Sequence, residues 1–432
     1  MLRRALLSLL FAISTLGAQE RFQQLTILHS NDLHAHLLAD AAGLGGFAYV
    51  AAAVNRERAG CTTCIYLNAG DLVQGTPVST LFHGVPIYEI ANRLGIDAAV
   101  VGNHEFDYGW QRVRQFGRIA KYPLLSANIV NAQGATITGK PYTILNVGGM
   151  RVAVIGVVMS DMIGALITPE NAGPFHVLPV VETVRRYARE LVDRADLIVV
   201  LGHIHNPEAD AILQEVPEVS VVVAGHEHRG FEQMHRVGNG VAVLIKGYGR
   251  EIGRLDLKVA NHKVQSAEWK KIPIDSHRID PDPRVAASVA HWEARVSKIV
   301  DVPIGEARRQ FNSADLSHIV EAGLAAETGA DLAYMNSGGI RDILPAGRIL
   351  ARHIWNILPF DNQVLVGTFK WSELPKEFAH GTTIDPNRTY SVATLDYVVD
   401  MGYRDRRSAF TDTHRVLRDV IIDWIKKKKV FE

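Results

Sequence analysis

The chain has 432 residues, enough for two domains that each bury a core of their own. Hydrophobic residues make up 47% and charged residues 21%, which is the balance of an ordinary globular protein. Basic and acidic residues number 46 each, so no charge excess provides a broad surface for nucleic-acid polymers or anionic membranes.

The first eighteen residues have the pattern of a secretory signal peptide. Arg3 and Arg4 precede an apolar run, and the small residues Gly17 and Ala18 follow it. The apolar run has about twelve residues, whereas a membrane-spanning helix needs roughly 20. The sequence therefore predicts a signal peptide over residues 1–18, export to the periplasm or the exterior, and no stable membrane insertion.

The chain has two cysteines, Cys61 and Cys64, which stand directly before a predicted strand. In an exported protein such a pair can form one small disulfide. A redox motif is the alternative, but the usual proline-bearing surroundings are missing, so we interpret the pair as structural. Two cysteines cannot build a zinc ribbon.

Strand-like and helix-like segments alternate through the first two-thirds of the chain. Short runs rich in Val, Ile and Leu predict strands at 25–28, 65–67, 97–101, 151–158, 196–201, 219–224 and 241–246. Helical patterns occupy 47–58, 110–120 and 180–194. Because continuous apolar strands are buried on both faces, we expect helices to cover the sheet.

A break rich in proline and aspartate, residues 275–284, ends this region. A predicted connecting helix at 285–300 follows, and a second α/β segment begins near residue 303. Its elements are predicted at 316–328 (helix) and at 331–335, 363–369 and 390–394 (strands). We therefore predict a first domain over 24–274, a linker over 275–302 and a C-terminal domain over 303–432.

Six short polar motifs share one placement, directly after a predicted strand. They are Ser30–His34, Ala69–Asp71, Gly102–Glu105, Leu201–His203, Gly225–His228 and, in the second domain, Asn336–Arg341. Ligands of α/β proteins bind beyond the carboxyl ends of the strands. The first five motifs therefore bring seven candidate metal ligands to one rim: Asp32, His34, Asp71, Asn103, His203, His226 and His228.

These seven side chains offer carboxylate, amide and imidazole groups without a thiolate, a set that suits Zn, Mn, Fe or Mg. Seven ligands exceed the needs of one ion. Two divalent ions that share a carboxylate fit better, with Asp71 as the natural bridge. Two-metal sites about 3.5–4 Å apart are a common device for hydrolysing phosphate esters. A single strand-end His or Asp is more often structural, so the interpretation depends on the ordered set of five.

The motifs resemble those of the 5′-nucleotidase family within the calcineurin-like metallophosphoesterases. The resemblance runs over residues 24–400 and includes Leu28–His36, Gly102–Asp107, Gly225–His228 and Leu358–Asn362. It implies an α/β fold with a four-layer αββα sandwich and a smaller C-terminal α/β domain. It also implies one ion on Asp32, His34, Asp71 and His228, and a second on Asp71, Asn103, His203 and His226.

The same resemblance gives His104 a catalytic role rather than a metal-binding one. His104 would stabilise the phosphoryl transition state or protonate the leaving group, oriented by Asp107. The residues agree, because His104 follows a predicted ligand and a carboxylate three residues on can hold its ring. The alternative for Asp107 is a helix N-cap before Trp110. We interpret His205 as a neighbour of the metals rather than a ligand.

The resemblance places the substrate contacts in the C-terminal domain. Arg341 would bind phosphate through its fork of donors, with Asn336 beside it. Phe360 and Tyr397 would stack on a nucleobase, and Asn362 would bond to the edge of that base. Ordinary core packing is the alternative for the two aromatic residues.

Three departures from the family pattern affect the substrate side. Phe311 stands where the family often has a phosphate-binding arginine, with Arg308 and Arg309 slightly upstream. The glycine-rich stretch after the second aromatic residue is shortened to Asp400–Tyr403. The C-terminal domain is also short. None of these departures touches the predicted metal ligands.

We therefore expect a phosphoesterase that depends on two metal ions and acts on a small molecule. The expected substrates are above all 5′-nucleotides, which it would convert to nucleoside and phosphate. We expect the protein to be a monomer or a dimer. Alternatives on the same site are a cyclic-nucleotide phosphodiesterase or 3′-nucleotidase, a nucleotide-sugar hydrolase and a thiosulfohydrolase. An alternative of another class is a non-catalytic nucleotide-binding protein. Retention of all seven ligands and of His104 argues against it.

Overall fold

The computed structural model describes residues 22–374, 376–379 and 384–432, so the predicted signal peptide lies outside the described residues. Strands and helices alternate up to Pro273, as the sequence predicts. In chain order they are β1 Gln23–Ser30, α1 Phe47–Ala59, β2 Cys64–Asn68, α2 Pro77–Leu81, α3 Val85–Ala91, β3 Ala98–Val100, α4 Trp110–Ile119, β4 Leu124–Leu125, β5 Ile129–Asn131, β6 Tyr142–Val147, β7 Met150–Val158, α5 Met162–Ala165, α6 Pro169–Ala172, β8 Phe175–Val177, α7 Val180–Leu191, β9 Leu197–His203, α8 Asn206–Glu215, β10 Val221–Ala224, β11 His235–Val237, β12 Gly240–Val243, β13 Glu251–Ala260 and β14 Lys263–Pro273.

Two six-stranded sheets form the centre of this region. Their strand orders are β14-β13-β1-β2-β3-β4 and β11-β12-β10-β9-β7-β6. Strands β1 to β4 run parallel in the first sheet, as do β7, β9, β10 and β12 in the second. Apolar side chains from both sheets, such as Ile27 and Val199, form one buried cluster. The two sheets therefore pack face to face.

Helices cover both outer faces of this sheet pair. Phe47 of α1, Tyr88 of α3 and Phe116 of α4 belong to one buried cluster on the first sheet. Val184 of α7 and Ile212 of α8 belong to another on the second sheet. The four-layer αββα sandwich is thus confirmed, and burial on both faces explains the unbroken Val and Ile runs of the strands.

Helix α9 (Pro283–Val300) connects the two parts of the chain. It begins behind Asp282, whose carboxylate accepts hydrogen bonds from the backbone N–H groups of Arg284 and Val285. Proline stands at its first position, where no N–H is needed. Its buried valines, including Val296, belong to the cluster that packs on the first sheet.

The elements of the C-terminal part are β15 Pro303–Ala307, α10 Ser313–Thr328, β16 Leu332–Ala333, β17 Gly347–Leu350, α11 Ala351–Ile357, β18 Gln363–Lys370, β19 Thr389–Leu395, α12 Asp396–Gly402, β20 Phe410–Val416, α13 Leu417–Lys428 and β21 Val430–Phe431. The strands form two smaller sheets, with strand orders β17-β15-β21 and β16-β19-β18-β20. Helices α10, α11 and α13 share a buried cluster with these strands, so this part is α/β as well.

Two segments differ from the sequence-based expectation. The strand predicted at 331–335 is only the two-residue β16, because the N–H of Met335 donates to the carboxylate of Glu321 instead of to a strand. The hairpin of β13 and β14 was not predicted as a pair of strands, although it extends the first sheet by two antiparallel strands.

Cys61 and Cys64 form a disulfide at the start of β2, the pairing that the sequence left open. Cys61 lies two residues after the end of helix α1, and Cys64 is the first residue of that strand. Among the described residues, no helix has the length and apolar composition needed to cross a membrane.

Candidate metal centre and substrate cleft

All seven predicted ligands lie at the carboxyl ends of parallel strands. The loops after β1, β2, β3 and β10 carry six of them, and His203 is the last residue of β9. Each of these strands sits next to another parallel strand, so their ends meet along one edge of the sandwich. Sequence position alone therefore identifies the rim, and the sandwich brings the loops of its two sheets together there.

The first group contains Asp32, His34, Asp71 and His228, whose ligand atoms all lie within 4.8 Å of one another. The Nε2 atoms of His34 and His228 are 3.0 Å apart. The carboxylate of Asp32 is 3.5 Å from His228 Nε2, and that of Asp71 is 3.7 Å from His34 Nε2. Two imidazole nitrogens and two carboxylates that converge on one point form a donor set that fits a divalent metal ion.

The second group contains Asp71, Asn103, His203 and His226. His203 Nε2 lies 3.1 Å from the carboxylate of Asp71 and 3.1 Å from Asn103 Oδ1. His203 Nδ1 lies 2.8 Å from the carbonyl of Ala69, to which it donates, so Nε2 is the nitrogen that faces the site. The rings of His203 and His226 meet edge to face with centroids 5.3 Å apart.

Asp71 belongs to both groups. The same oxygen, Oδ2, is 3.7 Å from His34 Nε2 and 3.1 Å from His203 Nε2. The other oxygen accepts the backbone N–H of His104 at 2.9 Å. One carboxylate oxygen shared between two sets of ligands is the geometry of a bridge between two ions.

The charges of the site suit metal ions in place of protons. Burial lowers the pKa of His34 well below its ordinary value and that of His226 to about 3, which keeps both rings neutral. Burial opposes a charge on His203 too, but the Asp71 carboxylate outweighs it and raises the His203 pKa to about 10. A metal ion beside Asp71 would balance the negative charge of that carboxylate and so take over the role of a proton on His203.

Four of the seven predicted ligands have a left-handed backbone. Asp32, His34, Asp71 and His226 have φ angles of 49°, 46°, 51° and 81°. Residues other than glycine rarely adopt this conformation, and each instance costs on the order of 1–3 kcal/mol. The tight turns aim successive side chains of one loop at the same point, and the surrounding fold compensates for the strain.

Glu105 holds the loop of Asp71 in place, a role that sequence reasoning missed. Its buried carboxylate accepts the backbone N–H groups of Gly102 (2.6 Å), Asp71 (3.2 Å) and Leu72 (2.9 Å). Burial and the nearby Asp71 charge raise the pKa of Glu105 to about 7. The available signal was the position of Glu105 inside the motif Gly102–Glu105, directly after a predicted ligand and a predicted catalytic histidine.

His104 lies beside the first group of ligands without joining it. Its ring is 5.1 Å from the ring of His34, centroid to centroid. Its Nδ1 is 2.9 Å from the carboxylate of Asp107, which leaves Nε2 as the second ring nitrogen. Burial opposes protonation of His104, but Asp107 and Asp71 outweigh it and raise its pKa. Asp107 stands at the end of the short turn His104–Phe106, without a side-chain bond that caps helix α4.

His205 stands at the edge of the second group. Its ring meets that of His226 edge to face, with centroids 4.9 Å apart. Its two nitrogens lie 3.4 Å from the carboxylate of Glu227 and 3.3 Å from that of Asp161. His205, His226 and Glu227 also offer ligand atoms that all lie within 4.8 Å of one another, so the interpretation of His205 as a neighbour rather than a ligand stays a prediction.

A cleft of about 640 Å³ extends from the two groups toward the C-terminal part. Asp71, Asn103, His104, His226 and His228 line one side of it. The opposite side contains all five predicted substrate residues, which are Asn336, Arg341, Phe360, Asn362 and Tyr397. The ring of Phe360 lies 5.8 Å from that of His104, centroid to centroid, so the two sides meet in this conformation.

The segment Leu358–Asn362 is held from both sides. Buried Arg418 donates to the carbonyls of Leu358 and Phe360 at 3.2 and 3.3 Å and pairs with Asp361. On the sandwich side, the hydroxyl of Thr80 donates to the carbonyl of Pro359 at 3.0 Å. Sequence reasoning missed Arg418, since nothing in the local sequence places helix α13 under this segment.

The structure explains what happens at the positions where the chain departs from the family pattern. Phe311 is buried in the C-terminal core. Arg309 pairs with Asp315 at 3.0 Å, and Arg308 pairs with Glu432 at 3.0 Å. Among the described residues that line the cleft, Arg341 is the only arginine.

Comparisons with known proteins support both halves of this arrangement. The family described as calcineurin-like phosphoesterase matches residues 25–230, and the 5′-nucleotidase C-terminal domain matches residues 295–379. Protein UshA of Yersinia enterocolitica is 25% identical, over 95% of this chain and 92% of UshA. A 5′-nucleotidase of Vibrio cholerae is 24% identical, over 84% of this chain and 77% of that protein. The solved 5′-nucleotidase precursor of Thermus thermophilus has a TM-score of 0.85 at 22% identity, over 95% of this chain and 97% of that one.

Proposed function

The chain belongs to the 5′-nucleotidase family of the calcineurin-like phosphoesterases, and from that premise we propose that it hydrolyses 5′-nucleotides to nucleoside and phosphate. The family gives the reaction class, which is hydrolysis of a phosphate ester with two divalent metal ions. The nucleotide is our proposal. The observation that carries it is the cleft in which the two ligand groups face Arg341, Phe360 and Tyr397.

We propose that the two ligand groups hold the two ions, with Asp71 as the shared ligand. Bound there, the ions would supply Lewis-acid stabilisation of the phosphoryl charge and lower the pKa of a bound water. The strained, hydrogen-bonded loops hold the ligand atoms in position before anything binds. Little reorganisation is then needed at the moment of reaction.

We assign to His104 the role of proton donor to the leaving group. Burial opposes a charge on the ring, but Asp107, 2.9 Å from Nδ1, helps to raise its pKa, which favours a proton on Nε2 toward the cleft. A proton donated from Nε2 to the ester oxygen would let the nucleoside leave as an alcohol. His104 lies between the ligands and Phe360, which is where the scissile bond of a bound nucleotide must lie.

The C-terminal side is assigned to substrate binding. Arg341 Nη2 and Asn336 Oδ1 are buried and have no hydrogen-bond partner among the described residues, although both residues line the cleft. A phosphate oxygen would satisfy the guanidinium. Phe360 and Tyr397 offer aromatic faces to a base and Asn362 offers an amide to its edge, which would stack bases without strict choice.

We further propose that the two domains have the separate functions that the sequence predicts. Residues 24–274 would form the metal-binding domain, 275–302 the linker and 303–432 the substrate-binding domain. Export after removal of residues 1–18 fits an enzyme that acts on nucleotides outside the cytoplasm. Mass spectrometry of the mature N-terminus from a secreting host tests the cleavage.

An activity screen tests the proposed function. The purified chain is incubated with 5′-nucleoside monophosphates, 3′-nucleotides, cyclic nucleotides, a nucleotide sugar and 4-nitrophenyl phosphate, each with added Mn, Zn or Mg. We expect release of phosphate from 5′-monophosphates with a kcat/KM well above that for the aryl phosphate, because a nucleobase would have Phe360, Tyr397 and Asn362 as partners. Faster turnover of any other class would replace the proposed substrate. Inactivity on every phosphate ester with every metal would refute the enzyme assignment.

A further inference from the structure

Gln74 is a buried amide without a structural task, and it lies three residues after the shared ligand Asp71. Only 1% of Gln74 is exposed. Neither Nε2 nor Oε1 of its side chain has a hydrogen-bond partner among the described residues. Burying an unsatisfied amide destabilises a fold, and a methionine of similar size would fill the same space without that cost. A bound ligand that accepts and donates hydrogen bonds would remove this cost.

The backbone of this loop fixes where Gln74 can reach. Gln74 has a left-handed φ of 68°, and its N–H donates to the hydroxyl of Ser79 at 2.9 Å. Gly75 follows with φ 109°, and a Cβ there would lie 2.6 Å from the carbonyl of His34. The next residue, Thr76, donates its hydroxyl to the carbonyl of Ala35 at 2.8 Å. The loop is thus pressed against the loop that carries His34.

Gln74 lines the cleft between the metal ligands and the C-terminal part. Its neighbours along the lining include His104 and Asp107 on the sandwich side and Arg341 and Phe360 on the opposite side. Arg341 Nη2 is a second buried donor in this lining without a partner among the described residues. Two unpartnered donors on one cleft indicate a ligand with several acceptor oxygens, as a phosphate ester has.

We propose that Gln74 is a substrate-binding residue whose Nε2 donates a hydrogen bond to a non-bridging oxygen of the phosphate ester. This assignment rests on the proposed phosphoesterase function and adds a residue to it. A neutral amide suits this position. It adds a donor for the phosphate without another positive charge beside the predicted ions, whereas a carboxylate would repel the phosphate dianion.

Three variants test the assignment. Gln74→Met removes the amide at similar volume, Gln74→Glu replaces the donor by a carboxylate, and Gln214→Met makes the first change on the exposed side of α8 as a matched control. For each protein we measure metal content, thermal unfolding without substrate, kcat/KM on a 5′-nucleotide and on 4-nitrophenyl phosphate, and binding of orthophosphate by calorimetry.

For Gln74→Met we expect kcat/KM to fall roughly tenfold to hundredfold on both substrates, because both share the phosphoryl group. Orthophosphate binding should weaken by a similar factor, and metal content should stay at the wild-type level. The midpoint of thermal unfolding should rise by about 1–3 °C, since an unsatisfied amide is gone. Gln74→Glu should lose more activity than Gln74→Met, and Gln214→Met should match the wild type.

A structural role would give the opposite pattern, with lower unfolding temperature and metal loss in step with activity. That result, or wild-type kinetics in Gln74→Met, overturns the assignment. A loss confined to the nucleotide, with activity kept in Gln74→Glu, would place the contact on the leaving group and overturns it as well. Failure of the proposed function is distinguishable. A wild-type protein that hydrolyses no ester can still show whether orthophosphate binding depends on Gln74.

Discussion

The cleft has a metal end, lined by predicted ligands such as Asp71 and His228, and a substrate end, lined by Arg341 and Phe360 among others. The two ends differ in how their polar groups are held. At the metal end, four of the seven predicted ligands have a left-handed backbone, and groups of the same domain such as Glu105 and Asn31 hold Asp71 and Asp32 by hydrogen bonds. At the substrate end, Asn336 and Arg341 keep buried atoms without partners in the described chain. At the first end the predicted ligands are held in place by the fold itself, although Gln74 beside them also keeps an unpartnered amide, and the second end would be completed by its ligand. Substitutions at the metal end should therefore change metal content and kcat, whereas substitutions at the substrate end should mainly change KM.

Loss of the shared ligand should have the largest effect. Asp71→Ala should remove both ions and lower kcat/KM by roughly 10⁴-fold or more, because both Lewis-acid centres depend on this carboxylate. Metal analysis and steady-state kinetics measure the two effects. Asp193→Ala, an exposed change just after the end of α7, serves as control. Retention of one full equivalent of metal would show that Asp71 is not a bridge.

His104→Ala should separate chemistry from metal binding. We expect kcat to fall roughly 10²–10³-fold while metal content and KM change little, because His104 is assigned a proton and not an ion. His176→Ala is the control, since that histidine is exposed and is not among the residues that line the cleft. Equal loss of metal in the Asp71 and His104 variants would contradict this division of roles.

Phe360→Ala tests the substrate end. A base stacked on an aromatic ring gains about 1–3 kcal/mol, so KM for a 5′-nucleotide should rise roughly tenfold to hundredfold. Turnover of 4-nitrophenyl phosphate, which has no base, is the internal control and should change much less. If kcat/KM falls equally for both substrates, Phe360 acts by shaping the cleft or by its contact with His104, and the proposed stacking on the base is wrong.

Arg418→Met should have the smallest effect of the four. Arg418 holds Leu358 and Phe360 through their carbonyls, so its loss should loosen the segment and raise KM for nucleotides roughly threefold to tenfold, the scale of one hydrogen bond. Metal content should not change, since Arg418 lies outside the sandwich. Arg415→Met on the preceding strand β20 is the control. A metal loss in Arg418→Met would show that the two ends are coupled more tightly than the contacts indicate.

The placement of the predicted metal ligands at strand ends followed from local patterns in the sequence. Unbroken apolar runs predicted buried parallel strands, and parallel strands must end at a common edge, so polar motifs at their ends had to meet. Local order along the chain was enough to place Asp32 and Asp71 at the edge of one sheet, and the packing of the second sheet brings His203 to that edge. The helix after residue 284 and the α/β character of the C-terminal part were predictable for the same reason, from local pattern.

Long-range packing, in contrast, shows which groups hold the site and which polar atoms have no partner among the described residues. Glu105, Arg418 and Gln74 look ordinary in sequence, because their significance lies in partners that are distant along the chain or missing. Arg418 reaches Phe360 across 58 residues, and the amide of Gln74 stands out only because no described residue offers it a hydrogen-bond partner. Hydrogen bonds between loops depend on how two sheets and two domains pack, and that packing has no local signature in the sequence.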